Sequence, residues 1–194
     1  MKMTTIASTL LALGMVGGTA TALSAPVPGT AMSESSNPMV GGAAMYSNKD
    51  IIDNAVNSKD HTTLVAAVKA AGLVDTLKGK GPFTVFAPTN AAFDALPAGT
   101  VDTLLKPEMK KDLTSVLTYH VVAGNLDAAA LMAKIKAGGG KAMLKTVQGE
   151  SLTARRDGMG ISLTDSKGGM AHVTIADVRQ SNGIIHVIDK VLLP

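Results

Sequence analysis

An α+β fold is predicted, because apolar residues recur at helical spacing as far as Gly138-Gly139-Gly140 and alternate in strand fashion after it. Two dipeptides between the later apolar runs, Asp157-Gly158 and Asn182-Gly183, favour tight hairpins, whose central residues need positive φ. Helices first and antiparallel strands later depart from the regular alternation that builds a parallel βαβ sheet. The chain has no cysteine, so no disulfide can staple the fold and its core must hold it.

Lys2, the apolar run Ile6 to Val16 and the small residues Gly17 to Ala25 have the order of a secretory signal peptide, expected over 1–24 with cleavage after Ala22 or Ser24. The apolar run is shorter than the ~20 residues that cross a bilayer, so no stable transmembrane segment is expected after processing. Residues 25–46 are rich in Pro, Gly, Ser, Met and Ala and lack any period, which predicts a disordered linker. Met32, Met39 and Met45 are too scattered there to make a thioether copper site. Residues 47–194 remain as one domain, a size that buries about 68–70% of the surface of its unfolded chain.

Within the domain, Asp50 is positioned to cap a helix carrying Ile51, Ile52 and Val56. Asp60 or Thr62 is positioned to cap a second, with Leu64, Val68 and Ala71 on one face and Gly72 at its left-handed end. Leu73, Val74 and Leu77 form a further turn before Gly79-Lys80-Gly81-Pro82. Phe83 to Ala87 alternate as a strand ended by Pro88, and Thr89 or Asn90 starts a helix that carries Phe93 and Leu96. Pro107 opens a helix whose Met109, Leu113, Val116 and Leu117 make a buried stripe. Tyr119-His120 hands that helix to a strand through Val121-Val122, and Asp127 caps a helix with Leu131 and Ile135 inward. The expected later strands are Ala142–Val147, Ser151–Arg156, Met159–Thr164, Ala171–Val178 and Ile184–Leu192. Apolar residues on both faces of the last make it central, with His186 inside it.

A formal charge of +3, or +2 once Lys2 leaves with the signal, is a weak field for nucleic acid or an anionic membrane. Three Phe, two Tyr and no Trp cannot supply a base-stacking platform, so nucleic acid is set aside. No two of the four histidines have the spacing of a zinc site, so no metal is expected. Asp165 to Gly169 lacks the carboxylate succession of a calcium loop, Gly79-Lys80-Gly81 lacks the Lys-Ser/Thr end of a phosphate loop, and no G-x-S-x-G elbow occurs. No catalytic residue and no cofactor is therefore assigned.

Three blocks do form a pattern: Phe83, Phe86, Pro88, Thr89 and Asn90 with Phe93; Tyr119-His120; and Asn182 to Pro194 with Gly183, His186 and Asp189. In order and spacing they resemble the fasciclin-like (fasciclin I) domain, most closely its secreted single-domain bacterial members. The resemblance covers about Asn48 to Pro194 and implies a β-wedge of mostly antiparallel strands flanked by several short helices. It also implies adhesion without catalysis. In animal members, integrin contact is attributed to a tyrosine-histidine segment and an Asp-Ile pair. These carry over to Tyr119, His120, Val121 and Val122, and to Asp177-Val178 with valine in place of isoleucine. The implied partner is a cell-surface, envelope or matrix component, protein or polymer, met in the periplasm or outside the cell. The alternative expectation is a small-ligand carrier with a groove between helices and wedge.

Overall fold

The computed structural model describes residues 37–158 and 160–194. The expected signal peptide and residues 25–36 of the expected linker lie outside the described residues. Over 37–46 the linker expectation is corrected: β1 (Met39–Val40) pairs with β2 (Ala43–Ala44), and Val40 and Met45 are buried against the first helices. Two apolar side chains and a glycine turn suffice to dock this short hairpin, although they make no sequence period.

The helical half comprises α1 (Ile51–Ala55), α2 (Thr62–Ala71), α3 (Val74–Lys78), α4 (Asn90–Asp94), α5 (Thr100–Leu104) and α6 (Lys110–Tyr119), with β3 (Phe83–Pro88) between α3 and α4. After β4 (Val121–Ala123) and α7 (Ala128–Ala137) come β5 (Lys141–Lys145), β6 (Ser151–Asp157), β7 (Gly160–Thr164), β8 (Met170–Gln180) and β9 (Gly183–Ile188). Asp50, Thr89 and Asp127 accept the first free amides of α1, α4 and α7, as the sequence predicts. For α2 the expectation fails, since neither Asp60 nor Thr62 caps it. Asn90 does so from across the fold: its Oδ1 accepts the Thr63 N–H at 3.0 Å while its Nδ2 donates to the Lys59 carbonyl at 2.8 Å. Replacing Asn90 with alanine should cost about 1–2 kcal/mol, with Asn90→Asp keeping most of the acceptor's share. Urea denaturation of both variants tests this, and equal midpoints for wild type and Asn90→Ala would refute the capping role.

Apart from the β1-β2 hairpin, the strands form one sheet in the order β4-β3-β9-β8-β7-β6-β5. A lone bridge from Val122 to Thr146 brings its two ends close to closure. All pairings are antiparallel except β3 with β9, where Phe83 to Pro88 run beside Gly183 to Ile188. The sheet separates two cores. One lies between β3, β9 and the early helices, around Val85, Val187, Leu113 and Leu117; the other lies inside the curved sheet, around Phe86, Leu131, Leu152, Leu163 and Ile188. Because β9 faces both, it is apolar on both sides.

The two turn expectations change in detail. Asp157 pairs with Gly160, so Asp157 still belongs to β6 and Gly158, at φ 58°, lies in the turn. Gln180 pairs with Gly183, so Ser181 and Asn182 are central and Gly183 already belongs to β9. Gly183 is needed for closeness instead: a Cβ there would stand 2.1 Å from the Phe83 carbonyl oxygen.

Candidate functional site

The end of α6 places Tyr119-His120 between the two cores. Tyr119 is fully buried, and its hydroxyl accepts the Ser166 N–H at 3.1 Å. Burial raises its pKa. His120 Nδ1 donates to the Val116 carbonyl at 2.8 Å, and its Nε2 accepts the Leu192 N–H at 3.0 Å, so the neutral ring has both nitrogens engaged. Burial lowers its pKa to about 4, outweighing the opposing pull of the Val116 carbonyl and the Asp165 charge. Val121 and Val122 are buried as well. The helix ends inside the fold, and the side chains of all four residues are buried there.

Val178 is likewise buried, whereas Asp177 is partly exposed. Asp177 sits at φ 59° in an irregularity of β8. Aspartate enters this left-handed region more readily than most residues. The bend brings its Oδ1 to the Ala128 N–H at 2.7 Å, so Asp177 and Asp127 together hold the positive end of α7. Beneath them His186 Nε2 donates to the Leu126 carbonyl at 2.8 Å, and its ring stacks on Phe86 with centroids 5.6 Å apart. Burial lowers the His186 pKa too. Asp189 accepts the His172 N–H at 2.7 Å and Phe93 is buried under α4.

Asn182 joins three elements. Its Oδ1 accepts the Ile51 N–H at 3.2 Å, and its Nδ2 donates to the carbonyls of Leu77 at 2.7 Å and Gly79 at 3.2 Å. An open depression of about 600 Å³ lies alongside, with Asp50, Lys78, Lys80 and Arg179 on its walls. Lys78 is held by Asp53 at 2.6 Å and Asp50 at 3.7 Å, and Arg179 by Asp127 at 3.3 Å. Sequence reading missed buried Asn54, whose side chain bonds the Tyr46 backbone and Gln180, because one asparagine in a short helix carries no pattern.

Between the helices and the sheet lies an apolar cavity of about 60 Å³, walled by Val40, Ile52, Leu64, Val85 and Ile185. His61 reaches it, with Nδ1 on the Ser58 hydroxyl at 2.8 Å. Its buried Nε2 has no hydrogen-bond partner, since the nearby Ala87 carbonyl falls short of bonding geometry, and burial lowers the ring's pKa. Among the described residues no group of three or more His, Asp or Glu side chains could hold a metal ion, and no helix is long and apolar enough to cross a membrane.

Residues 59–194 match the Fasciclin domain family. The Synechocystis protein sll1483 is 46% identical over 173 residues, covering 87% of this chain and 88% of that protein. The cell surface glycolipoprotein MPB83 of Mycobacterium bovis is 34% identical over 197 residues, covering 90% of this chain and 81% of that protein. Among solved structures, the FAS1 domain pair of the insect cell adhesion molecule fasciclin I matches with a TM-score of 0.67 at 20% identity, over 75% of this chain and 51% of the pair. That last likeness is one of fold, and this chain spans about half of the pair. The family match over 59–194 and the identity to these two relatives show the family: the chain belongs to the fasciclin family, whose domains are adhesion-type interaction modules without an enzymatic role.

Proposed function

We propose that the protein is a secreted or envelope-associated adhesion and matrix-interaction module without catalytic activity, working in the periplasm or at the cell surface. The fasciclin match along 59–194 carries this reading. The buried motif side chains support it: Tyr119, His120 and His186 spend their polar atoms on backbone groups within the fold, which leaves the exterior to do the binding. In this reading Tyr119, His120, Val121, Val122 and Val178 keep that exterior in shape, and Asp177 is the member of the adhesion set that reaches solvent. The partner is a surface, envelope or matrix component.

Adhesion of host cells to a surface coated with the native protein should exceed adhesion to the same protein heat-unfolded before coating. Tyr119→Phe with His120→Ala should lose adhesion only as far as it loses melting temperature. Absence of adhesion to the native protein by host cells and envelope fractions would sink the reading.

The apolar cavity favours a second reading, a small-ligand carrier. Its volume of about 60 Å³ is well below the ~150 Å³ of a cavity that takes up benzene, so it would admit only the end of an alkyl chain. Native mass spectrometry of protein purified from its own host, showing a retained non-peptide mass, would favour the carrier.

A further inference from the structure

The outer face of strands β5 to β8 is exposed at Lys141, Met143, Lys145, Arg155 and Met170, buried at Ser162, and carries an unusual charge arrangement. Along β5, Ala142 and Leu144 enter the core while Lys141, Met143 and Lys145 point outward. The register sets Lys141 directly opposite Arg155, with Ser162 and His172 continuing that row. Like charges facing each other across antiparallel strands are destabilising, at a side-chain separation of roughly 5 Å. Here neither is relieved: among the described residues Lys141, Lys145 and Arg155 make no ion pair. Lys145 lies about 13 Å further along the same strand face. The acids of this region make no ion pair with the row's lysines or arginine. Asp157 is taken by His172 Nδ1 at 2.9 Å, and Glu150 stands in the turn beyond Lys145.

The second row reads Met143, Thr153, Thr164 and Met170. Its hydroxyls make no side-chain hydrogen bond among the described residues, and Met143 is 73% exposed. The face therefore offers separated cations, hydroxyl donors and flexible thioethers on a pleated plane, and its one ring among the described residues, His172, is bonded to Asp157. Nucleic acid would need stacking rings, a membrane surface would need aromatic or leucine side chains to insert, and a protein interface is ordinarily poor in lysine. A second copy of the same face would repel it. A sugar chain bearing repeated carboxylates meets each feature, with anions at Lys141-Arg155 and Lys145, hydroxyls at the threonines, and ring C–H faces over the methionines.

The geometry points to this face as a binding surface for a linear acidic polysaccharide. The inference rests on the adhesion reading and names the chemistry of its partner. A destabilising charge pair kept on an exposed face has its compensation in the bound polymer, so one substitution should move stability and binding in opposite directions.

The experiment measures binding of the purified protein to polygalacturonate, with neutral dextran, anionic phospholipid vesicles and single-stranded DNA alongside. Wild type should bind polygalacturonate and none of the other three. Lys141→Gln with Arg155→Gln should bind at least about tenfold more weakly, the loss of charge-assisted hydrogen bonds to one carboxylate cluster, while melting at the same temperature or higher. Lys78→Gln with Lys80→Gln, in the depression on another part of the surface, should bind as wild type does. Undiminished binding by the Lys141/Arg155 variant, no binding by wild type, or equal binding to vesicles or DNA would each overturn the assignment. Host-cell adhesion that persists in the Lys141/Arg155 variant would also overturn it while leaving the adhesion reading intact, whereas absence of adhesion in wild type defeats that reading separately.

Discussion

Replacing Gly183 with alanine is expected to destabilise the protein by about 3 kcal/mol, the upper part of the usual range for forcing extra atoms into a packed interior. The added Cβ would lie 2.1 Å from the Phe83 carbonyl oxygen, 2.9 Å from its carbonyl carbon and 3.1 Å from its nitrogen. All three are backbone atoms, so no side chain can swing away. Relief requires β3 and β9 to separate at Phe83↔Gly183, the first pair of the parallel ladder joining the two halves of the chain. The Phe83 N–H donates to the Asn182 carbonyl at 3.1 Å, so the shift would strain that bond as well. At this chain length about 3 kcal/mol corresponds to a fall of roughly 10 °C in melting temperature. Ser181→Ala, on the exposed neighbour, should leave melting almost unchanged. A Gly183→Ala protein melting within about 2 °C of wild type would show that the strands yield easily and that close approach is not why glycine stands there.

That glycine illustrates which parts of the fold could be read from the sequence. Signals within one turn or one strand were legible: the stripes Leu64-Val68 and Leu113-Val116-Leu117, the caps Asp50, Thr89 and Asp127, and the alternation that sends Ala142 and Leu144 inward. Whatever depends on a distant partner was not. Asn182-Gly183 has the composition of a tight turn, yet its glycine answers to Phe83, about a hundred residues earlier. Asn90 looks like the start of its own helix and caps α2 instead. The parallel pairing of β3 with β9 is invisible to any local period. The candidate site fared similarly. The family pattern located Tyr119, His120 and Asp177, but only packing tells that the first two lie inside and that Asp177 bends out of β8. On the cationic face each strand could be read alone, while the opposition of Lys141 and Arg155 is a matter of register.

Acid should weaken the fold through His120, and the direction follows from its hydrogen bonds. In the folded protein the ring is neutral, giving its Nδ1 proton to Val116 and taking the Leu192 N–H at Nε2. Protonating Nε2 would set a donor against a donor inside the core. Burial accordingly lowers the folded pKa to about 4, whereas an unfolded chain takes the proton near 6.5. The unfolded state thus binds more protons in this interval, so the His120 contribution is complete above pH 6.5 and is lost as pH falls towards 4. The gap between those values corresponds to about 3 kcal/mol. Buried His61 and His186, whose pKa values are also lowered, act in the same direction. Urea unfolding at pH 7 and pH 4 isolates the His120 share when wild type is compared with His120→Gln, which cannot titrate. Wild type should lose about 3 kcal/mol more than the variant over that interval. Equal losses would mean that the ring is not held neutral. Before global unfolding, the same protonation should loosen the Leu192-Leu193 segment, because the Leu192 N–H loses its acceptor on the ring. Faster amide exchange at Leu192 than at Ile188 near pH 4, and comparable protection at pH 7, would place the first opening at His120.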